Sequence, residues 1–237
     1  MLTALLYALA ASSALVIGAA IGVRYTPPRH IVALLLAFAS GALISALAFE
    51  LFEEAYHLSG ATRSGLGLLA GALTFVVVDA CLERRVDGQD SVGGKAGSKV
   101  GFALLAAVTL DGVPENLALG VSLVEGASVS LLVAIFVSNL PESMVGAVKM
   151  REAGDSPGAV MRVWIACAAL LIAAVLVGRG LAGDMSDTVL SVSLGFAGGA
   201  VLASLADTLM PEAFERGRPG NALATAAGFF LAFVLAV

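Results

Sequence analysis

The sequence predicts an all-α integral membrane protein, with eight transmembrane helices in a 3+2+3 inverted-repeat arrangement. Three observations lead there. Of 237 residues, 59% are hydrophobic and only 13% charged, where a soluble domain carries about a quarter charged residues. The apolar residues gather into eight runs of the roughly 20 residues needed to cross about 30 Å of hydrocarbon. A segment in the second run recurs in the seventh. The same composition excludes collagen, disordered tails and disulfide scaffolds, and the net charge of −5 excludes a basic nucleic-acid binder.

The spans fall at about 2–23, 31–56, 64–82, 100–123, 127–148, 159–178, 187–213 and 219–237, so residues 1–237 read as a single transmembrane domain. The first is kept as a span rather than a signal peptide, because its first cation, Arg24, follows the apolar run instead of preceding it. His30 flanks Pro27 and Pro28 in the turn to span two. Span three carries Asp79 near Arg84 and Arg85, its expected partners. The only sizeable loop, Glu83–Ser98, is Gly-rich and charged and reads as a flexible linker. Spans four and five hold polar residues deep in apolar sequence. Span six has no acid, span seven carries Asp207, Pro211 and Glu212, and Cys81 and Cys167 read as small core residues.

Lys and Arg set the orientation. With the amino terminus outside, the cytoplasmic loops hold 11 of the 13 cations, and only Arg63 and Arg179 lie outside. Both termini are then extracytoplasmic, in a multi-pass plasma-membrane protein.

Phe38–Tyr56 and Phe196–Phe214 match at nine of 19 positions with a shift of 158 residues. The copies are five spans apart, an odd number, and so cross the membrane in opposite senses. Inverted repeats of this kind build secondary transporters, whose substrate sites lie near the midplane.

The midplane chemistry lies in spans four and five. Span four reads Leu110-Asp111-Gly112-Val113-Pro114-Glu115-Asn116, and span five Val137-Ser138-Asn139-Leu140-Pro141-Glu142-Ser143. Asp111 and Glu115 are i and i+4 and share a helix face, as do Ser138 and Glu142. A carboxylate at membrane depth is costly unless protonated, paired or solvated, and no Lys or Arg lies at comparable depth in the sequence. A divalent cation supplies the missing charge, with Ser138 and Asn139 as neutral oxygen donors. Each proline is expected to kink its helix and free the carbonyls of Leu110 and Val137. Two registers of the antiparallel spans remain open: Asp111 level with Ser138, or the two glutamates level with each other.

At these residues the chain resembles the ZIP family of zinc- and iron-type metal permeases, whose members carry His-Asn-x-Pro-Glu-Gly in span four and a related motif in span five. The resemblance implies a metal site at Asp111, Glu115, Ser138, Asn139 and Glu142, with Asp111 and Ser138 standing where the family has histidines. Gly112 stands where the family has its asparagine, and Asn116 and Ser143 where it has the closing glycines. It further implies a homodimer in which spans one, four, five and six move against two, three, seven and eight. The oxygen-only donor set shifts the expected cargo from Zn²⁺ toward Mn²⁺ or Fe²⁺.

Glu50, Glu53, Glu54 and His57 at the outer end of span two are candidates to gather cations. Asp207 and Glu212, with Glu215 beyond them, are candidates for the release path. The expected partners are a divalent metal ion as cargo, the lipid bilayer and a second copy of the chain, with no nucleic acid and no prosthetic group. No Walker-type phosphate loop, His-Glu-x-x-His or nucleophile elbow occurs, so the reading is a permease and not an enzyme. The alternatives are a transport-inactive metal sensor or scaffold on the same fold, and an intramembrane metal-dependent hydrolase.

Overall fold

The computed structural model describes residues 1–88, 109–110, 112–124, 126, 129–216 and 219–236. Among them every regular element is helical. These are α1 (Leu2–Arg24), α2 (Arg29–Ala46), α3 (Glu53–Gly88), α4 (112–122), α5 (Val129–Glu152), α6 (Pro157–Ala182), α7 (Asp187–Ser204), α8 (Met210–Arg216) and α9 (Gly220–Ala236). A π-helical segment, Leu47–Phe52, joins α2 to α3, and a second, Leu205–Leu209, joins α7 to α8. Five helical stretches are long and apolar enough to cross a membrane: Leu2–Arg24, Arg29–Cys81, Val129–Glu152, Pro157–Ala182 and Asp187–Glu215. Gly220–Ala236 is apolar but shorter. The chain is all-α and compatible with a membrane protein.

The count differs from the eight spans expected. Seven helices of 17 residues or more stand among the described residues. The fourth expected span, 100–123, is described only at 109–110 and 112–123. The second and third, expected at 31–56 and 64–82 with a loop between, are two helical stretches, 29–59 and 61–88, that meet at a kink. The kink is at Gly60, with φ 74° and ψ 173°, a conformation available to a residue without Cβ. The linker expected at Glu83–Ser98 is helical as far as Gly88, and 89–98 lie outside the described residues.

Local chemistry sets the other ends. Tyr25 leaves α1 in an extended conformation (φ −138°, ψ 140°), and Thr26 precedes Pro27, a position disfavoured for helix. After α5, the Gly154 N–H donates to Arg151 O (3.0 Å) and the Asp155 N–H to Met150 O (3.1 Å). Gly154 takes φ 94°, a left-handed cap that halts the helix. Ser156 then starts α6 by accepting from Ala159 N–H at 3.3 Å, with Pro157 in the first helical position.

The bundle is held by helices that touch backbone to backbone. The most extensive pairings are α3 with α7, α1 with α5, and α2 with α9. A Cβ added at Gly41 of α2 would overlap Thr225 O of α9, and one at Gly228 of α9 would overlap Phe38 O of α2. Across the bundle, a Cβ at Gly199 of α7 would overlap Leu68 O of α3, and one at Gly71 of α3 would overlap Phe196 O of α7. Phe49, in the first π segment, packs edge-on against Phe229 (6.3 Å between centroids) and Phe233 (5.2 Å) of α9. Buried hydroxyls add cross-links, from Ser191 to Ala55 O (2.6 Å) and from Ser130 to Ala232 O (2.9 Å).

Gly41→Val and Gly199→Val should each lower unfolding stability in detergent by about 1–3 kcal/mol or more, the cost of overpacking a closed contact. Gly180→Ala, where nothing lies within 4 Å of the added Cβ, should cost nothing. Unfolding midpoints of the three variants check this.

Candidate functional site

The two Pro-Glu helices meet in one apolar core. Ala118 and Leu119 of α4 and Leu131, Ala134 and Ile135 of α5 belong to the same buried cluster. Toward the middle of the helices the polar residues are equally enclosed: Glu115 is 6% exposed, Asn116 0%, Ser138 1%, Asn139 2% and Ser143 0%. Glu142 is half-buried, and Asp111 lies outside the described residues.

The expected helix break is not at Pro141. α5 runs from Val129 to Glu152 with Pro141 inside it. The departures from α-helix come instead at the two π segments, which begin 158 residues apart, at Leu47 and Leu205. A π turn carries an extra residue and loosens the regular ladder. The second is followed by Pro211, which has no N–H to return to the preceding turn.

Within each Pro-Glu motif the side chain after the glutamate bonds back four residues. Asn116 Nδ2 donates to Gly112 O at 2.9 Å. Ser143 Oγ lies 2.8 Å from Asn139 O, 3.1 Å from Leu140 O and 3.3 Å from Ala14 O on α1, carbonyls among which its one proton is shared. Ser138 Oγ donates to Ile135 O at 3.0 Å. Among the described residues three buried amide ends have no hydrogen-bond partner, Asn116 Oδ1 and Asn139 Nδ2 in the motifs and Asn221 Oδ1 on α9. An unsatisfied buried polar group costs about 1–3 kcal/mol. Asn116 and Ser143 entered the sequence reading only as departures from a family motif. Their shared position, directly after each Pro-Glu pair, was the available signal.

Among the described residues no group of three or more His, Cys, Asp or Glu side chains could hold a metal ion. Glu115 and Glu142 are therefore not joined there by a third such ligand, and the proposed third carboxylate, Asp111, is outside the described set. Where the first π segment meets α3, Glu53 Oε1 and His57 Nε2 are 3.7 Å apart on exposed side chains, with Glu50 and Glu54 half-buried beside them. Asp207 is exposed on its π segment. The charge acting on half-buried Asp79 is that of Asp207 across the α3–α7 packing, and the side chains of Arg84 and Arg85 lie outside the described residues.

Glu212 lines a cavity of about 270 Å³ between the start of α2, the end of α5 and α8. Arg29, Leu36, Val145, Lys149 and Glu152 also line it, and Lys149 Nζ lies 3.8 Å from Glu212 Oε1. Glu142, Val145, Lys149 and Glu152 are spaced by three, four and three residues, so the cavity lies along the Glu142 face of α5. The chain matches no family model and no curated protein.

Asn116→Leu and Asn139→Leu each replace an unsatisfied amide with an apolar side chain of similar size. Both proteins should unfold at the wild-type denaturant concentration or above it, gaining about 1 kcal/mol, as read from urea or SDS titration in detergent. A loss of about 2 kcal/mol in either variant would show that the amide is fully satisfied.

Proposed function

We propose that the chain is a divalent-cation permease of the plasma membrane, related to the ZIP family and moving its cargo inward by alternating access. The observation that carries this reading is a set of buried oxygen and amide groups in two apolar Pro-Glu helices, with a cavity opening along the same face of α5. Glu115 and Glu142 supply the charge that a divalent cation neutralises, and Ser138 and Asn139 supply neutral donors. Asp111 completes the set on the resemblance. Unsatisfied amide ends in an apolar core are costly to keep, which favours a role in holding something over a role in packing.

An inverted repeat of spans one to three and six to eight, in a chain of eight spans, is supported by paired contacts. A shift of 158 relates Gly41 to Gly199, Phe38 to Phe196, and the first π segment to the second. A shift of 157 relates Leu68 to Thr225 and Gly71 to Gly228. The contacts between α2 and α9 thus reappear between α7 and α3 with equivalent residues in equivalent roles. Two bundles related in this way can rock about a central pair of helices. The basic residues of the cytoplasmic loops favour termini on the outer side, and the family resemblance favours a homodimer.

The donors are all oxygen or amide, which suits Mn²⁺ or Fe²⁺ better than a zinc-selective histidine site would. Proteoliposomes loaded with the full chain should accumulate radioactive Mn²⁺ down its gradient. Glu115→Gln and Glu142→Gln should each reduce uptake at least tenfold, the loss of about 1.4 kcal/mol or more of cation stabilisation. Uptake that is strong for Zn²⁺ and absent for Mn²⁺ would overturn the ion preference, and uptake unchanged in both variants would overturn the site.

A further inference from the structure

Lys149 stands at the cytoplasmic end expected of span five, opposite an acid of α8. Its ammonium is 3.8 Å from the Glu212 carboxylate, and both residues line the cavity on the Glu142 face of α5. Seven residues separate Glu142 from Lys149, a rise of roughly 10 Å along the helix. Cargo leaving Glu142 along that face reaches Lys149, Glu152 and Glu212 together. Arg29 lines the opposite wall, on α2. Both members of the pair are partly solvated, with side chains 52% and 37% exposed, so the pair is weak enough to open and close.

We propose that Lys149 is a tethered competitor for Glu212. It supplies a resident positive charge that keeps the acids of the inward cavity from retaining a divalent cation, and so favours release. This inference rests on the permease reading. A carboxylate pair at the mouth of a cation path would otherwise act as a trap, since two such groups bind a divalent ion more strongly than either holds a lysine. An ammonium on a flexible stem supplies charge without geometry, can swing aside as the ion passes, and returns when the ion is gone. The alternative is that Lys149 and Glu212 merely clamp α5 to α8.

The full chain in detergent and in proteoliposomes separates the two. Mn²⁺ is the probe, with bound ion counted by electron paramagnetic resonance and turnover measured by radioactive Mn²⁺ flux. Lys149→Gln should retain one more Mn²⁺ per chain than wild type, and its turnover should fall about threefold, the scale of an exposed ion pair. Lys149→Arg should behave as wild type. Glu212→Gln alone should slow flux less than Lys149→Gln does, and Lys149→Gln combined with Glu212→Gln should lose the extra ion and turn over faster than Lys149→Gln. The proposal is overturned if Lys149→Gln binds no more Mn²⁺ than wild type. It is equally overturned if Glu212→Gln slows flux as much as Lys149→Gln does and the double variant is no faster, the pattern of a clamp. Absence of flux in the wild-type protein would instead remove the permease reading, while the ion count in detergent still decides the role of the lysine.

Discussion

Backbone-to-backbone contact at glycine is the constraint on which the rest of this bundle depends. Helices in lipid gain little from burying apolar side chains against one another, because the surrounding hydrocarbon is equally apolar. Close approach, dispersion and the occasional hydroxyl cross-link must then do the holding. Gly41 with Thr225 and Gly199 with Leu68 bring two pairs of helices closer than any side chain would permit. α1 meets α5 in the same way, where a Cβ on Gly18 would overlap Ser143 Oγ and Leu140 O. That last contact fixes the back of the Pro-Glu helix and turns Asn139 and Glu142 away from α1.

This packing also explains how a run of polar atoms survives inside. Ser143 is anchored through carbonyls of its own helix and of α1, and Asn116 through Gly112 O. These bonds satisfy one end of each polar group and hold it in place, leaving the other amide end of Asn116 without a partner. Such an arrangement gives up stability for position. A helix pair kept only for structure would be better served by apolar side chains at 116 and 139.

How much was legible in the sequence follows from what each feature depends on. Apolar runs of membrane length set α1, α5, α6 and the stretch Asp187–Glu215 to within a few residues, because composition alone decides them. The division of the second and third spans falls at Gly60, between the expected limits 56 and 64. Residues 57–63 include His57, Ser59, Gly60 and Arg63, which look like a loop, yet a single glycine in a left-handed conformation makes the turn and the flanking residues stay helical. At Pro141 the expected break does not interrupt the helix, since α5 continues through it. The π segments left no local mark in composition, and only the alignment of residue 47 with residue 205 could have suggested that an irregularity in one copy belonged in the other. Burial of Glu115, Ser138 and Asn139 was readable from depth in the span. The Lys149–Glu212 pair was not, because it joins residues 63 positions apart on helices whose relative placement the sequence does not give.

Repetition does not make the two ends of the molecule equivalent. Glu54 and Glu212 are the same repeat position, one 158 residues after the other, and both are half-buried. Lysines occur only at positions 95, 99 and 149, so the first copy has no lysine within its own three spans, whereas Glu212 meets Lys149 from the central pair. The outer end carries Glu53 and His57 instead, a pair whose charge depends on the protonation of the imidazole. In the proposed inverted repeat, one backbone plan thus carries different charged groups at its two ends. The difference arises from α5, which belongs to neither copy and passes its Glu142 face to only one end. In the proposed permease, direction comes from the helices between the repeats, and on α5 Lys149 is the ammonium that meets Glu212.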